Sequence, residues 1–223
     1  MLSLILVLIF MGLTWWFINR YHRDKKEDIT SPKVSARLKK LWDYVAIATK
    51  EQRYWAAERA LLSILRIDHR NTAAYNQLGM LYARQQNYED AIECFDIASS
   101  LTPTVATLYN LGLVHYEYGN YEQATVAFEK SVDLEPTAKR YVAYAKALEK
   151  IGNKKRVTEA LEKAVELEPT QQHRELLALS YERNKEYSKA EEIRANMAVS
   201  QARSTSARKK SPKAHSKTPA RIH

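Results

Sequence analysis

Three of the six prolines in this chain recur at an interval of 33 residues. Pro103, Pro136 and Pro169 are the fifth residues of three similar segments, SSLTPT, VDLEPT and VELEPT. Even spacing on this scale is typical of repeat architectures, in which each supersecondary unit stacks on its neighbours. The chain has 223 residues but only 5 glycines and 6 prolines. The pattern therefore favours an array of long helices over a turn-rich β fold.

The residues before the first two of these prolines align without a gap. The segment LGMLYARQQNYEDAIECFDIASSLTP lies over LGLVHYEYGNYEQATVAFEKSVDLEP. Leu-Gly, Tyr, Ala, Phe and Pro at these offsets resemble the tetratricopeptide repeat family. The resemblance implies an all-α solenoid of about four to five helical hairpins over residues 38–200. The repeats it implies lie at 38–71, 72–104, 105–137, 138–170 and 171 to about 198.

The glycines predict two different local features. Gly79 and Gly112 fall inside predicted helices, where glycine costs about 1 kcal/mol relative to alanine. A close approach of the two helices of a hairpin can offset that cost, because no Cβ intervenes. Gly119 and Gly152 fall at the turns between helices, where we expect a positive φ.

An uncharged stretch of 17 residues, LSLILVLIFMGLTWWFI, spans positions 2–18, and four basic residues follow within residues 20–26. A cleavable signal peptide would carry its positive charge before the apolar stretch, so an uncleaved anchor fits better. We therefore expect a transmembrane helix within residues 1–19 and a basic juxtamembrane linker at 20–37. The positive flank favours a cytoplasmic solenoid. The layout of an anchor followed by repeats is similar to that of bacterial inner-membrane assembly proteins, which implies a single-pass protein of the bacterial inner membrane. A eukaryotic source fits the same layout.

The C-terminal residues 201–223 carry seven Lys and Arg and no acidic residue. Their composition predicts a disordered tail. Such a tail can be merely solvated, or it can bind RNA, DNA or anionic lipid through its charge. The central residues 38–200 are nearly neutral, with 22 basic and 23 acidic residues. These central residues therefore show no excess of positive charge that would indicate nucleic-acid binding.

The sequence offers no constellation of catalytic residues. Cys94 is the only cysteine, and none of the six histidines stands at ligand spacing from another. A phosphate-binding glycine loop is also missing. We therefore expect no enzymatic activity, no cofactor and no metal.

The resemblance implies that a peptide or helix of a partner protein binds in a concave groove lined by the first helix of each repeat. The residues at the corresponding positions are Asn76, Met80, Tyr109, Asn110, Leu113, Tyr116, Lys139 and Lys146. Tyr109 is alternatively a packing residue between repeats. Only Asn110 and Lys139 match the family's five-residue carboxylate clamp, so we do not expect a chaperone clamp. The predicted function is a membrane-anchored adaptor or assembly scaffold, with binding through the tail as the alternative.

Overall fold

The computed structural model describes residues 11–16 and 31–210. Residues 11–16 are helical (α1). Ten longer helices follow: α2 (Pro32–Lys50), α3 (Tyr54–Ile67), α4 (Thr72–Arg84), α5 (Tyr88–Leu101), α6 (Val105–Tyr118), α7 (Tyr121–Leu134), α8 (Ala138–Lys150), α9 (Lys154–Leu167), α10 (Gln171–Arg183) and α11 (Tyr187–Lys210). The described residues contain no strand, so the expectation of an all-helical solenoid is confirmed.

The chain divides into two compact units, with the boundary between Pro103 and Thr104. In the N-terminal unit, α3 packs against both α2 and α4, and α4 packs against α5. In the C-terminal unit, each helix from α6 to α11 packs against the next one along the chain, and α6 also contacts α8. Each unit is therefore a run of antiparallel hairpins, as the 33-residue period predicts.

The recurrent prolines lie in the short connections between hairpins. Each is followed by a threonine that occupies the N-cap position of the next helix: Thr104, Thr137 and Thr170. The hydroxyl of Thr104 accepts a hydrogen bond from the N–H of Thr107 at 3.1 Å. The hydroxyl of Thr170 caps its helix in the same way, whereas Thr137 makes no side-chain capping bond. Since proline cannot continue the preceding helix, the Pro-Thr pair separates consecutive repeats.

Two glycines permit the close approach inside the hairpins, as the sequence predicts. A Cβ built on Gly79 would lie 3.0 Å from the ring of Phe95, and one on Gly112 would lie 2.6 Å from the ring of Phe128. Both phenylalanines are almost completely buried. The ring of the second helix therefore fills the space that a side chain on the first helix would need.

The turn inside each hairpin contains one residue with a positive φ. The five residues are Gln52, Gln86, Gly119, Gly152 and Lys185, with φ between 57° and 91°. The prediction for Gly119 and Gly152 is confirmed. The other three turns adopt the same left-handed conformation without glycine, and the sequence does not reveal this.

Small and aliphatic residues form the core of each unit. In the N-terminal unit, Val45, Leu61, Ile64 and Leu78 belong to one buried cluster. In the C-terminal unit, a larger cluster runs from Ala124 to Ala190. The core thus follows the stacking direction of the hairpins, because each hairpin buries its apolar face only against its neighbours.

The prediction of a membrane-spanning anchor requires correction. Within residues 11–16 and 31–210, no helix is long and apolar enough to cross a membrane. A span needs about 20 apolar residues, and the described part of the predicted anchor contributes only the six residues of α1. The prediction of a single-pass protein of the inner membrane is therefore wrong. The rest of the predicted anchor, residues 1–10 and 17–19, lies outside the described residues.

The predicted boundaries of the solenoid differ from the observed helices at both ends. Helix α2 begins at Pro32, capped by the Ser31 hydroxyl, and so includes the last residues of the predicted linker. Helix α11 continues to Lys210, ten residues into the predicted tail. The linker residues 20–30 and the tail residues 211–223 lie outside the described residues.

Candidate functional site

A cavity of about 410 Å³ opens in the C-terminal unit between α6, α8 and the start of α10. We call it the C-terminal groove. The residues that line it are Tyr109, Leu113, Tyr116, Glu117, Phe128, Lys139, Val142, Ala143, Lys146, Glu168, Gln172 and His173. Its volume lies within the range of about 300–1,000 Å³ that is usual for ligand sites.

Aromatic residues form the floor of the groove. The rings of Tyr109 and Phe128 are tilted by 55°, with their centroids 5.6 Å apart. Phe128 reaches this floor from the second helix of the hairpin because Gly112 lacks a side chain. Burial raises the pKa of Tyr109, so its phenol stays protonated at neutral pH and can donate a hydrogen bond.

Further along α6, Tyr116 makes an edge-on contact with Tyr121, with the ring centroids 5.4 Å apart. Leu113 lies between Tyr109 and Tyr116 on the same helix face and is partly exposed. Val142 and Ala143 contribute apolar surface from α8. The middle of the groove is therefore apolar and accessible from solvent.

Charged residues of both signs line the groove. Lys139 and Lys146 are exposed residues of α8, and seven residues of helix separate them by roughly 10 Å. The Lys139 Nζ lies 5.4 Å from the centre of the Tyr109 ring, within the range of a cation–π interaction. Glu117 and Glu168 also line the groove. The groove thus carries both positive and negative side chains.

The start of α10 closes one end of the groove. The Thr170 hydroxyl accepts a hydrogen bond from the N–H of His173 at 3.1 Å and caps the helix. The His173 Nδ1 lies 2.8 Å from the carbonyl oxygen of Glu168, which fixes the orientation of the imidazole. Gln172 lines the groove beside this histidine and offers amide groups to a ligand.

Five of the eight predicted site residues line the C-terminal groove: Tyr109, Leu113, Tyr116, Lys139 and Lys146. Asn110 is half-buried on α6 and does not line it. Asn76 and Met80 are half-buried on α4, in the N-terminal unit. The Oδ1 of Asn76 is buried and has no hydrogen-bond partner in the described structure. Binding by these eight residues stays a prediction.

The groove also contains residues that the repeat positions do not predict. Phe128 is one of the repeat marks, but it lies on the second helix of its hairpin, 16 residues after Gly112, and so outside the predicted lining. Glu168 comes from the connection to the next repeat, and His173 is the third residue of α10. Residues from such connections are invisible to an assignment that uses only the first helix of each repeat.

The N-terminal unit has a cavity of its own, with a volume of about 510 Å³. Trp42 and Thr49 line it from α2, and Gln77 and Arg84 line it from α4. The predicted residues Asn76 and Met80 do not contribute to it. Trp42 and Tyr54 are its aromatic residues, and Lys50 and Arg84 are its charged ones.

No cluster of His, Cys, Asp and Glu within residues 11–16 and 31–210 has the composition to hold a metal ion. Cys94 is buried, and burial raises the pKa of its thiol to about 12. The thiol therefore stays protonated and unreactive at neutral pH.

Two stretches of the chain match the models of a known repeat family. Residues 69–135 and residues 138–171 match family models for the tetratricopeptide repeat. These two stretches are tetratricopeptide repeats. No curated protein sequence matches the chain.

Several solved structures share the fold. A MamA RS-1 double mutant superposes with a TM-score of 0.66 at 22% identity, over 75% of this chain and 97% of that chain. MamA 41-end from Desulfovibrio magneticus RS-1 has a TM-score of 0.65 at 22% identity, over 74% and 96% of the two chains. YrrB, described as a TPR protein with an unusual peptide-binding site, has a TM-score of 0.62 at 16% identity, over 78% and 87%. At these identities the likeness shows the fold alone.

Proposed function

We propose that this protein is an interaction scaffold whose C-terminal groove binds a segment of a partner protein. The observation that carries the proposal is the accessible apolar strip of Leu113 and Val142 over the Tyr109–Phe128 floor. The tetratricopeptide repeats support it, because such arrays commonly bind peptides. YrrB, which shares the fold, is described as having a peptide-binding site.

The groove favours a segment with an apolar side chain beside an acidic one. The apolar side chain would pack against Leu113 and the aromatic floor, where it leaves water. The acidic group would lie near Lys139 or Lys146, which extend from α8. Glu117 and Glu168 also line the groove and disfavour an acidic group beside them, so the two lysines set the position of the negative charge.

Three substitutions test this division of roles. A buried aromatic anchor commonly accounts for about 2 kcal/mol or more of binding, whereas an exposed lysine contributes less and mainly speeds association. Tyr109→Ala and Tyr116→Ala should therefore weaken capture of a partner more than Lys146→Ala does, as measured by affinity of the purified protein.

The control is the fold of each variant, checked by helicity and melting temperature. If the tyrosine variants lose helicity, Tyr109 and Tyr116 are packing residues and the proposal loses its anchors. If they fold normally and bind the partner as tightly as the unaltered chain, the groove is not the binding site.

A second candidate function rests on the basic C-terminal tail. Residues 201–223 carry seven cations and no acid, which suits an anionic partner such as RNA, DNA or acidic lipid. Binding to nucleic acid should then weaken as salt is added. The logarithm of the binding constant should fall with the logarithm of the salt concentration, with a slope of about 0.7–0.9 per neutralised phosphate. If deletion of the tail leaves the affinities for RNA and for anionic vesicles unchanged, the tail is only solvated.

A further inference from the structure

The outer face of α2 exposes two apolar residues at positions that are buried in later repeats. Counted from the left-handed residue of each turn, Tyr44 corresponds to Leu78, Tyr144 and Leu177. Tyr44 is 41% exposed, whereas the other three are 3%, 6% and 5% exposed. The same position is therefore covered in later hairpins and open in the first.

Ile47 repeats this contrast one turn further along α2. It is 51% exposed, whereas its counterparts Leu81, Ala147 and Ser180 are 4%, 0% and 4% exposed. Tyr44 and Ile47 lie three residues apart and share one face of the helix. We call this face the α2 outer face.

The elements that cover the counterparts show what this face is shaped to accept. Leu78 packs in one cluster with Leu61 and Ile64 of α3, the second helix of the preceding repeat. The Ser180 hydroxyl lies 2.7 Å from the hydroxyl of Thr158, which belongs to the preceding helix α9. In both cases the cover is an amphipathic helix at the second position of a hairpin. The α2 outer face thus has the form of a surface that receives such a helix.

The charges around the face define the partner. Helix α2 carries five basic residues and one acidic residue, and all six are exposed. Lys40 lies one turn before Tyr44. The guanidinium of Arg53, which forms an ion pair with Glu51 at 2.7 Å, lies 5.9 Å from the Tyr44 ring centre. We propose that the α2 outer face binds an acidic amphipathic helix of another protein, which takes the place of a preceding repeat.

Two other occupants fit the same charges poorly. A second copy that pairs α2 with α2 would bring the two basic helices together, and like charges across an interface oppose binding. A head-to-tail contact would use α11, where Glu191 occupies the position of Thr158 in α9. That contact would bury a carboxylate against Ile47, which costs free energy without a partner.

Two helices of the chain itself supply matched probes. The peptide of residues 88–101, with serine at position 94, carries four acidic residues and no basic one. The peptide of residues 154–167 has the same length and the same place in its hairpin, but four basic and three acidic residues. Each is labelled with a fluorophore and titrated with the full chain, and the dissociation constants are compared.

We expect the peptide of residues 88–101 to bind at least about fivefold more tightly than the peptide of residues 154–167. Only the first has a net charge that complements α2. Ile47→Glu should weaken that binding by about tenfold or more, since it places a charge in the contact. Lys40→Glu changes a fully solvated residue without risk to the fold and should weaken it too. The control is Val126→Glu on α7, because Val126 is also a β-branched residue and is also 51% exposed.

Three results would overturn the proposal. The first is the absence of binding by the acidic peptide at millimolar concentration, and the second is equal binding of the two peptides. The third is binding that Ile47→Glu leaves unchanged. Sedimentation of the full chain adds a further check, because a dimer that Ile47→Glu dissociates would assign the face to a second copy instead.

Discussion

Single residues decide how closely the two helices of a hairpin approach. Gly112 and Phe128 form the tightest such contact, since a Cβ at position 112 would lie 2.6 Å from the ring. The corresponding distance at Gly79 is 3.0 Å. Phe128 also packs against Tyr109 in the floor of the C-terminal groove. The missing side chain of Gly112 therefore shapes both the core and the groove.

Replacement of Gly112 by alanine has two opposing effects on the free energy of unfolding: overpacking lowers it, and the better helix propensity of alanine raises it. Gly112→Ala should lower the free energy of unfolding by about 1–3 kcal/mol, as overpacking of a core usually does. Gly79→Ala, with its looser contact, is the matched control and should cost less. Denaturant unfolding measures both. A gain of about 1 kcal/mol for Gly112→Ala, which helix propensity alone would give, would contradict the packing account.

Because the Cys94 thiol is buried, the stability of the fold should vary with pH in the alkaline range. Burial, with the nearby carboxylates of Glu93 and Asp90, raises its pKa to about 12. An unfolded chain releases this proton at a pH near 8.5. Between these values, the unfolded state loses the proton and the folded state keeps it, so stability falls as the pH rises.

Cys94→Ala tests this pH dependence. The corresponding positions in three of the other repeats are the buried alanines Ala60, Ala127 and Ala160, so the core accommodates the substitution. From pH 8 to pH 11, the unaltered chain should lose more stability than Cys94→Ala, as measured by chemical unfolding at each pH. Parallel losses in the two proteins would show that folding does not raise the pKa of the thiol.

At the scale of elements, the turn inside each hairpin sets its geometry through one left-handed residue. Gly119 and Gly152 adopt this conformation with open space around the missing side chain. Gln52, Gln86 and Lys185 adopt it as non-glycine residues. A left-handed conformation costs a residue with a Cβ roughly 1–2 kcal/mol. Three of the five hairpins thus carry backbone strain at their turns.

Exchange of residues at two turns should change stability in opposite directions. Gln86→Gly should stabilise the protein by about 0.5–1 kcal/mol, and Gly119→Ala should destabilise it by about 1 kcal/mol. The control is Gln85→Gly, because Gln85 has a φ of −84° and gains nothing from glycine. Thermal unfolding measures all three. Equal effects of glycine at positions 85 and 86 would contradict the role of the left-handed conformation.

The elements also show how much the sequence predicts. Repeat spacing and the Leu-Gly, Ala and Phe marks predict the hairpins and the glycine contacts, because these features depend on local packing. The left-handed turns at Gln52, Gln86 and Lys185 escape prediction, since no glycine marks them. Phe128, Glu168 and His173 also escape the predicted groove, because tertiary packing rather than repeat position brings them there. The uncharged N-terminal stretch predicts a membrane span that no helix of the described residues provides.

On the scale of the whole molecule, we propose one partner surface in each unit. The C-terminal groove combines an aromatic floor with lysines and glutamates on its rim. The α2 outer face of the N-terminal unit combines Tyr44 and Ile47 with a basic helix. Two surfaces of different chemistry suit a scaffold that holds two different segments, and the substitutions proposed for each leave the other intact.

The most direct test of the central claim is photo-crosslinking from inside the C-terminal groove. A photoreactive amino acid replaces Leu113 in the full chain, and the same residue at Val126, on an exposed face outside the groove, is the control. The account predicts a discrete adduct from position 113, in which the crosslink maps to one short partner segment with an apolar residue beside an acidic one. Identical adducts from positions 113 and 126, or crosslinks scattered over unrelated segments, would contradict it.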